Sequence, residues 1–135
     1  MWKKVEFEEL FEKLKQEGYV ERETIGCDIN DFYSMFKFCD SLWFSVSEVG
    51  DSENRMPILL EKSKKILDSF KEQVKWVMLF LFVSEEQPLL LQEVKSLNNL
   101  AEYIAEYIAD GDLFWDVSHV NNKSDKIKFC FVIGS

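Results

Sequence analysis

The segment that most constrains the fold is W-V-M-L-F-L-F-V, residues 76 to 83, which is apolar without interruption. A strand with one side open to solvent alternates apolar and polar residues, so an unbroken run indicates a strand covered on both faces. The run is far too short to cross a bilayer as a helix, which takes about 20 residues. We therefore expect a central strand of a sheet in a globular domain, and no membrane partner.

Apolar residues at helical spacing lie on both sides of this strand. The first set ends at Gly18, the next begins at a possible cap, Asp28, and two more begin near Pro57 and Pro88. Glycine commonly ends a helix, whereas Asp at the cap and Pro in the first turn commonly begin one. We predict helices at about 5–17, 28–39, 57–70 and 88–110.

Three further segments predict strands. Residues 42–46 alternate, residues 113–120 and 126–133 flank the polar turn N-N-K-S-D, and Ile127, Phe129, Phe131 and Ile133 share one face. The expected fold class is α/β (α+β), a mixed four-stranded sheet with helices packed against it. The expected core residues are Trp76, Met78, Phe80, Phe82, Val94, Leu97, Ile104, Ile108, Phe129 and Phe131.

Composition limits the classes of partner. The 135 residues carry a net charge of −9, and nucleic-acid binding depends on clustered Lys and Arg, so we expect no nucleic-acid partner. The three cysteines have no C-x-x-C spacing, which suggests a reducing compartment. The first residues turn acidic at once and lack the apolar region of a secretory signal, so we expect a cytoplasmic protein.

The sequence offers little for catalysis. The five glycines are too scattered to build a phosphate-binding loop, and His119 is the only histidine. A catalytic triad or a multi-histidine metal site therefore lacks its central group. We expect no catalytic residue, no metal and no cofactor, and a structural role for His119.

Acidic side chains in close pairs are the remaining candidates. Asp28 and Asp31 precede or begin the short predicted helix. One interpretation makes Asp28 a helix cap and Asp31 a partner of the helix dipole. The other makes both carboxylates available to a partner, and the sequence pattern leaves the two open.

The segment G-C-D-I-N-D-F-Y-S-M-F, residues 26 to 36, resembles the N-x-D-x-x-D-hydrophobic segment of the cell-division GTPase FtsZ. In that family the segment is the synergy loop, whose acids enter the nucleotide site of the neighbouring subunit and help to hydrolyse GTP. Gly26 stands where the family has asparagine. The resemblance implies an interaction surface at Asp28, Asn30, Asp31 and Tyr33.

The resemblance continues over about residues 20 to 135. The apolar strand is followed by L-L-L-Q-E-V, residues 89 to 94, similar to the family's L-T-L-x-E-V helix start, and the chain closes on a similar strand pair. Glu85 and Glu86 stand where the family has Gly-Gly. The implied organisation is a second, C-terminal FtsZ/tubulin domain standing alone at 21–135. The resemblance further implies that residues 1–20 are an N-terminal helix, a remnant of the helix that joins the two domains.

Three functional hypotheses follow. The first is a non-enzymatic interaction module that docks on or caps an FtsZ-like or tubulin-like GTPase, or binds itself, through the synergy-loop-like edge. The second is a small ligand-binding or enzymatic domain that reuses the fold. The third is an acidic inhibitor or immunity-type partner of a basic protein, suggested by the net charge.

Overall fold

The computed structural model describes residues 2–19, 29–50, 55–106, 108, 113–120 and 126–135. Asp28, the Asp110-Gly111-Asp112 segment and the polar turn at 121–125 lie outside these residues. In chain order the elements are β1 (Lys3–Val5), α1 (Phe7–Glu17), α2 (Ile29–Phe38), β2 (Leu42–Val49), α3 (Arg55–Asp68), β3 (Trp76–Ser84), α4 (Leu91–Ala105), β4 (Leu113–Val120) and β5 (Ile127–Gly134).

The strands form one mixed sheet in the order β1-β2-β5-β3-β4. Strands β3 and β4 are parallel, and the other neighbours are antiparallel. The α/β class and the mixed sheet are confirmed. The described sheet has five strands, however, and not the predicted four.

The additional strand, β1, pairs three residues with β2 at one edge of the sheet. Its sequence K-K-V has no alternation from which a strand can be recognised. Val5, expected at the start of the first helix, is instead buried in this strand, and α1 begins at Phe7. Gly18 ends α1 as predicted, with a φ of 120°, a conformation that favours glycine.

The central position of β3 is confirmed, because it lies between β5 and β4 and all nine of its residues are buried. Its alternate side chains enter two apolar clusters on opposite faces of the sheet. Helices α3 and α4 supply Leu59, Leu67, Leu97 and Leu100 to one cluster. Helices α1 and α2 supply Leu10, Leu14, Phe32 and Met35 to the other.

Helix α4 differs from its prediction at both its end and its buried side. It ends at Ala105, and Ile108 lies outside it, in an isolated parallel bridge with Val74. Val94 and Ile108 are half-buried and not central to the core. The buried stripe consists instead of Glu93, Leu97, Leu100 and Ile104. Glu93 occupies the buried place expected for Val94, and its carboxylate turns inward to a buried partner.

Candidate functional site

Helix α2 carries the predicted interaction residues and is fixed by its buried side. Phe32 and Met35 are each 1% exposed, and Phe32 packs against Phe11 of α1 and Phe80 of β3. Residues three apart lie on one face of a helix, so these two side chains define the inner face of α2. The opposite side of the helix is then held toward solvent.

Tyr33 and Phe36 lie on the side of α2 next to the start of α1 and are 47% and 51% exposed. Both contact Phe7 at the start of α1, with ring centroids 5.3 and 5.1 Å apart, respectively. We call Phe7, Tyr33 and Phe36 the aromatic patch. Phe38 is also exposed and contacts Trp76 on the far side of α2.

Three of the four predicted interaction residues lie in the first turns of α2. Asn30 is exposed, Asp31 is half-buried in the first turn, and Tyr33 is part of the aromatic patch. A carboxylate in the first turn is stabilised by the positive end of the helix dipole. The fourth, Asp28, lies outside the described residues. The structure therefore places Asn30, Asp31 and Tyr33 within one turn of helix.

Phe7 and Phe36 were not among the predicted site residues. The sequence contains a signal for Phe36, because α2 has four aromatic residues within ten positions, more than one buried stripe can hold. The position of Phe7 beside α2 has no sequence signal. It depends on how α1 crosses the sheet.

A small cleft opens beside the aromatic patch. Its volume is about 50 Å³, far below the several hundred Å³ of a typical small-molecule site. Lys4, Glu6, Phe36, Cys39 and Asp40 contribute to its lining. Burial raises the pKa of the Cys39 thiol to about 11, so this cysteine is protonated at neutral pH and is a poor nucleophile. The cleft suits one or two waters and not a nucleotide.

On the other face of the sheet, the structure shows a buried ion pair that the sequence analysis did not predict. Arg55 Nε and Nη2 donate to Glu93 Oε2 and Oε1 at 2.7 and 2.9 Å, a two-point pairing of a guanidinium with a carboxylate. Arg55 also donates to the carbonyls of Gln87 and Pro88, and Glu93 accepts the Leu90 N–H. This network joins the start of α3 to the turn before α4.

The Arg55 side chain lowers the pKa of Glu93, against the opposing effect of burial. The carbonyls of Gln87 and Pro88 and the Leu90 N–H are thus hydrogen-bonded within the network. The charges of Arg55 and Glu93 neutralise each other. Because the carboxylate is enclosed and its pKa is low, it is poorly suited to proton transfer at neutral pH. The network is a structural element of the domain.

Among the described residues, no group of three or more His, Cys, Asp or Glu side chains is arranged to hold a metal ion. Within the same part of the chain, no helix is long and apolar enough to cross a membrane. The exposed aromatic side chains of α2 make its surface the strongest candidate for a functional site.

No family model and no curated protein sequence matches the chain. Solved structures do match the chain. An FtsZ mutant from M. jannaschii aligns with 95% of this chain at a TM-score of 0.66 and 15% identity, and an empty FtsZ dimer from the same organism aligns with 84% at 0.61 and 16%. GDP-bound CetZ1 from Haloferax volcanii aligns with 80% at 0.59 and 10% identity.

The aligned chain spans 32 to 38% of the length of these proteins. Identities of 10 to 16% establish similarity of fold alone. The element order, the mixed sheet and the helices on its two faces thus form an α/β domain of the kind found in FtsZ and CetZ.

Proposed function

We propose that the chain is a non-enzymatic interaction module that docks through the exposed side of α2 on an FtsZ-like or tubulin-like GTPase and caps its filament. The observation that carries the proposal is the exposure of Tyr33 and Phe36 on α2, the short helix whose first turns also carry Asn30 and Asp31. Aromatic residues are enriched in protein interfaces, where they contribute much of the binding energy.

The fold supports this choice of partner. In FtsZ the segment that resembles residues 26 to 36 meets the nucleotide site of the next subunit. A module that presents that segment can occupy one end of a filament and stop its growth. Asp31 in the first turn of α2 is the carboxylate we assign to the contact with the partner.

The geometry also supports binding over catalysis. The cleft next to the aromatic patch is too small for a nucleotide, and the buried Glu93 carboxylate is already paired with Arg55. A docking surface needs neither a pocket nor a shifted pKa. It needs exposed side chains held rigidly, and α2 provides them because Phe32 and Met35 anchor its inner face.

The test adds the protein to FtsZ of M. jannaschii and follows filament formation by light scattering and GTP hydrolysis by phosphate release. We expect the wild-type protein to reduce both signals and the Asp31→Ala variant to have a weaker effect at equal concentration. Replacing Asp31 removes the favourable interaction of a first-turn carboxylate with the helix dipole, which contributes about 0.3–1 kcal/mol. Identical curves for wild type, variant and buffer contradict filament capping.

The acidic-inhibitor hypothesis predicts a different salt dependence. Binding driven by the net charge of −9 weakens steeply as salt screens the charges, whereas docking through an aromatic patch depends little on salt. A repeat of the scattering assay at low and high salt separates the two. Loss of the effect at high salt favours the charge-driven alternative.

A further inference from the structure

The outer edge of the sheet is formed by β4, which is eight residues long and parallel to β3 on its inner side. No strand in the described part of the chain pairs with its outer side. The opposite edge of the sheet is different, since β1 has only three residues and two of them are exposed lysines. Short strands and lysines discourage pairing at an edge, and β4 has neither.

We propose that β4 pairs antiparallel with β4 of a second copy of this chain, which makes one continuous sheet across a two-fold axis. Strand addition at an open edge satisfies the backbone N–H and C=O groups of both partners. Each molecule carries a net charge of −9, so two copies repel one another over most of their surface. The segment L-F-W-D-V-S-H-V has one carboxylate, that of Asp116, and it is buried.

The sequence of β4 favours one register for this pairing. In an antiparallel pair, residues directly opposite each other share a face of the sheet, so a two-fold axis must lie midway between the two copies of one residue. An axis at Asp116 places two carboxylates opposite each other, which is unfavourable. An axis at Val117 places Asp116 opposite Ser118 and Trp115 opposite His119, and both pairs are compatible.

Side-chain positions agree with the Val117 register. Trp115 is 42% exposed and His119 is exposed, and both lie on the α4 side of the sheet by alternation along the strand. Trp115 also lines a shallow apolar groove with Leu113, Ile104 and Leu97. A second copy would cover the tryptophan and extend this groove across the axis. The surface lies on β4 and is separate from the aromatic patch, so the two proposals fail independently.

The first measurement is sedimentation velocity from low micromolar to several hundred micromolar protein. We expect a monomer–dimer equilibrium that strengthens with added salt, because salt screens the repulsion between two acidic molecules. Trp115→Lys should raise the dimer Kd by at least about 10-fold, which corresponds to about 1.4 kcal/mol, since tryptophan is enriched among the interface residues that contribute most to binding. The control Leu91→Lys, at an exposed site on α4, should leave the Kd unchanged.

Oxidative cross-linking tests the register. Val117→Cys places two thiols opposite each other on the axis, within disulfide reach, and should give a covalent dimer. His119→Cys places them about 13 Å apart, four residues along the strand, and should not. The wild-type chain is the control, because it shows whether the native cysteines form a covalent dimer by themselves. A protein that stays monomeric at every concentration, or a dimer unaffected by Trp115→Lys, overturns the proposal.

Discussion

Phe32 of α2 stacks on Phe80 of β3, with ring centroids 5.8 Å apart and ring planes 12° apart. Both side chains are 1% exposed. The contact fixes the helix that carries Asp31 and Tyr33 to the central strand of the sheet. Because the inner face of α2 is anchored in this way, its exposed side keeps a constant orientation, and the proposed docking surface is preformed.

Phe80→Ala should destabilise the protein by about 3–5 kcal/mol, since it removes a ring packed against Phe32 and Tyr19 and leaves a cavity in the core. Urea denaturation followed by fluorescence measures the change in unfolding free energy. Leu91→Ala, at a side chain that is 74% exposed, is the matched control and should change it by less than about 0.5 kcal/mol. A loss below about 1 kcal/mol at Phe80 would contradict the central position of β3.

Glu93→Gln should cost about 3–5 kcal/mol, because the buried guanidinium of Arg55 then loses the carboxylate charge that neutralises it. Replacing both residues together, as Arg55→Met with Glu93→Leu, should cost less than the single change, since it leaves no buried charge. Urea denaturation of the three proteins gives the comparison. A double variant at least as destabilised as the single one would contradict this view of the pair.

The same ion pair predicts a pH dependence. The folded-state pKa of Glu93 lies below its ordinary value of 4.5, so its contribution to stability is fully present above that value and is lost as the pH falls through the folded pKa. The stability difference between wild type and Glu93→Gln should therefore be constant near neutral pH and shrink below 4.5. A difference that stays the same under acidic conditions would mean that Glu93 is not paired as a carboxylate.

Gly134→Ala should destabilise the protein by about 1–3 kcal/mol through overpacking. Gly134 lies in β5 between Leu42 of β2 and Trp76 of β3, and an added Cβ would overlap Cys39 Sγ and lie 3.0 Å from Cys39 Cβ. Adding Cys39→Ala removes the sulfur and should restore part of the loss. Thermal unfolding of the single and double variants measures both effects, and an unchanged Tm for Gly134→Ala would show that this contact is not tight.

The fold was largely predictable because its strongest sequence pattern, the unbroken apolar run, indicates both a strand and the position of that strand inside the sheet. An apolar run such as that of residues 76 to 83 has few solutions other than a strand covered on both faces. Strand β1 was missed because three residues, two of them lysines, carry no periodic signal. Its position depends on pairing with β2, about 40 residues further along the chain.

The candidate site was predictable only in part. The short helix and the placement of Asn30, Asp31 and Tyr33 on it follow from the sequence pattern. The contribution of Phe7 does not, because it comes from another helix and depends on tertiary packing. The Arg55–Glu93 pair was missed for a similar reason. A charged residue in a helix is expected on the surface unless it is paired, and the pairing is visible only in the tertiary structure.

The most direct test of the proposed docking surface is the affinity of the protein for GTP-assembled FtsZ filaments of M. jannaschii, measured by co-sedimentation. We expect saturable binding by the wild type and a loss of at least about 10-fold for Tyr33→Ala with Phe36→Ala, two exposed aromatics at the centre of the surface. Leu91→Ala, at an exposed apolar side chain on the other face of the sheet, should bind as the wild type does. Equal binding by all three proteins, or no binding by the wild type, would contradict the account.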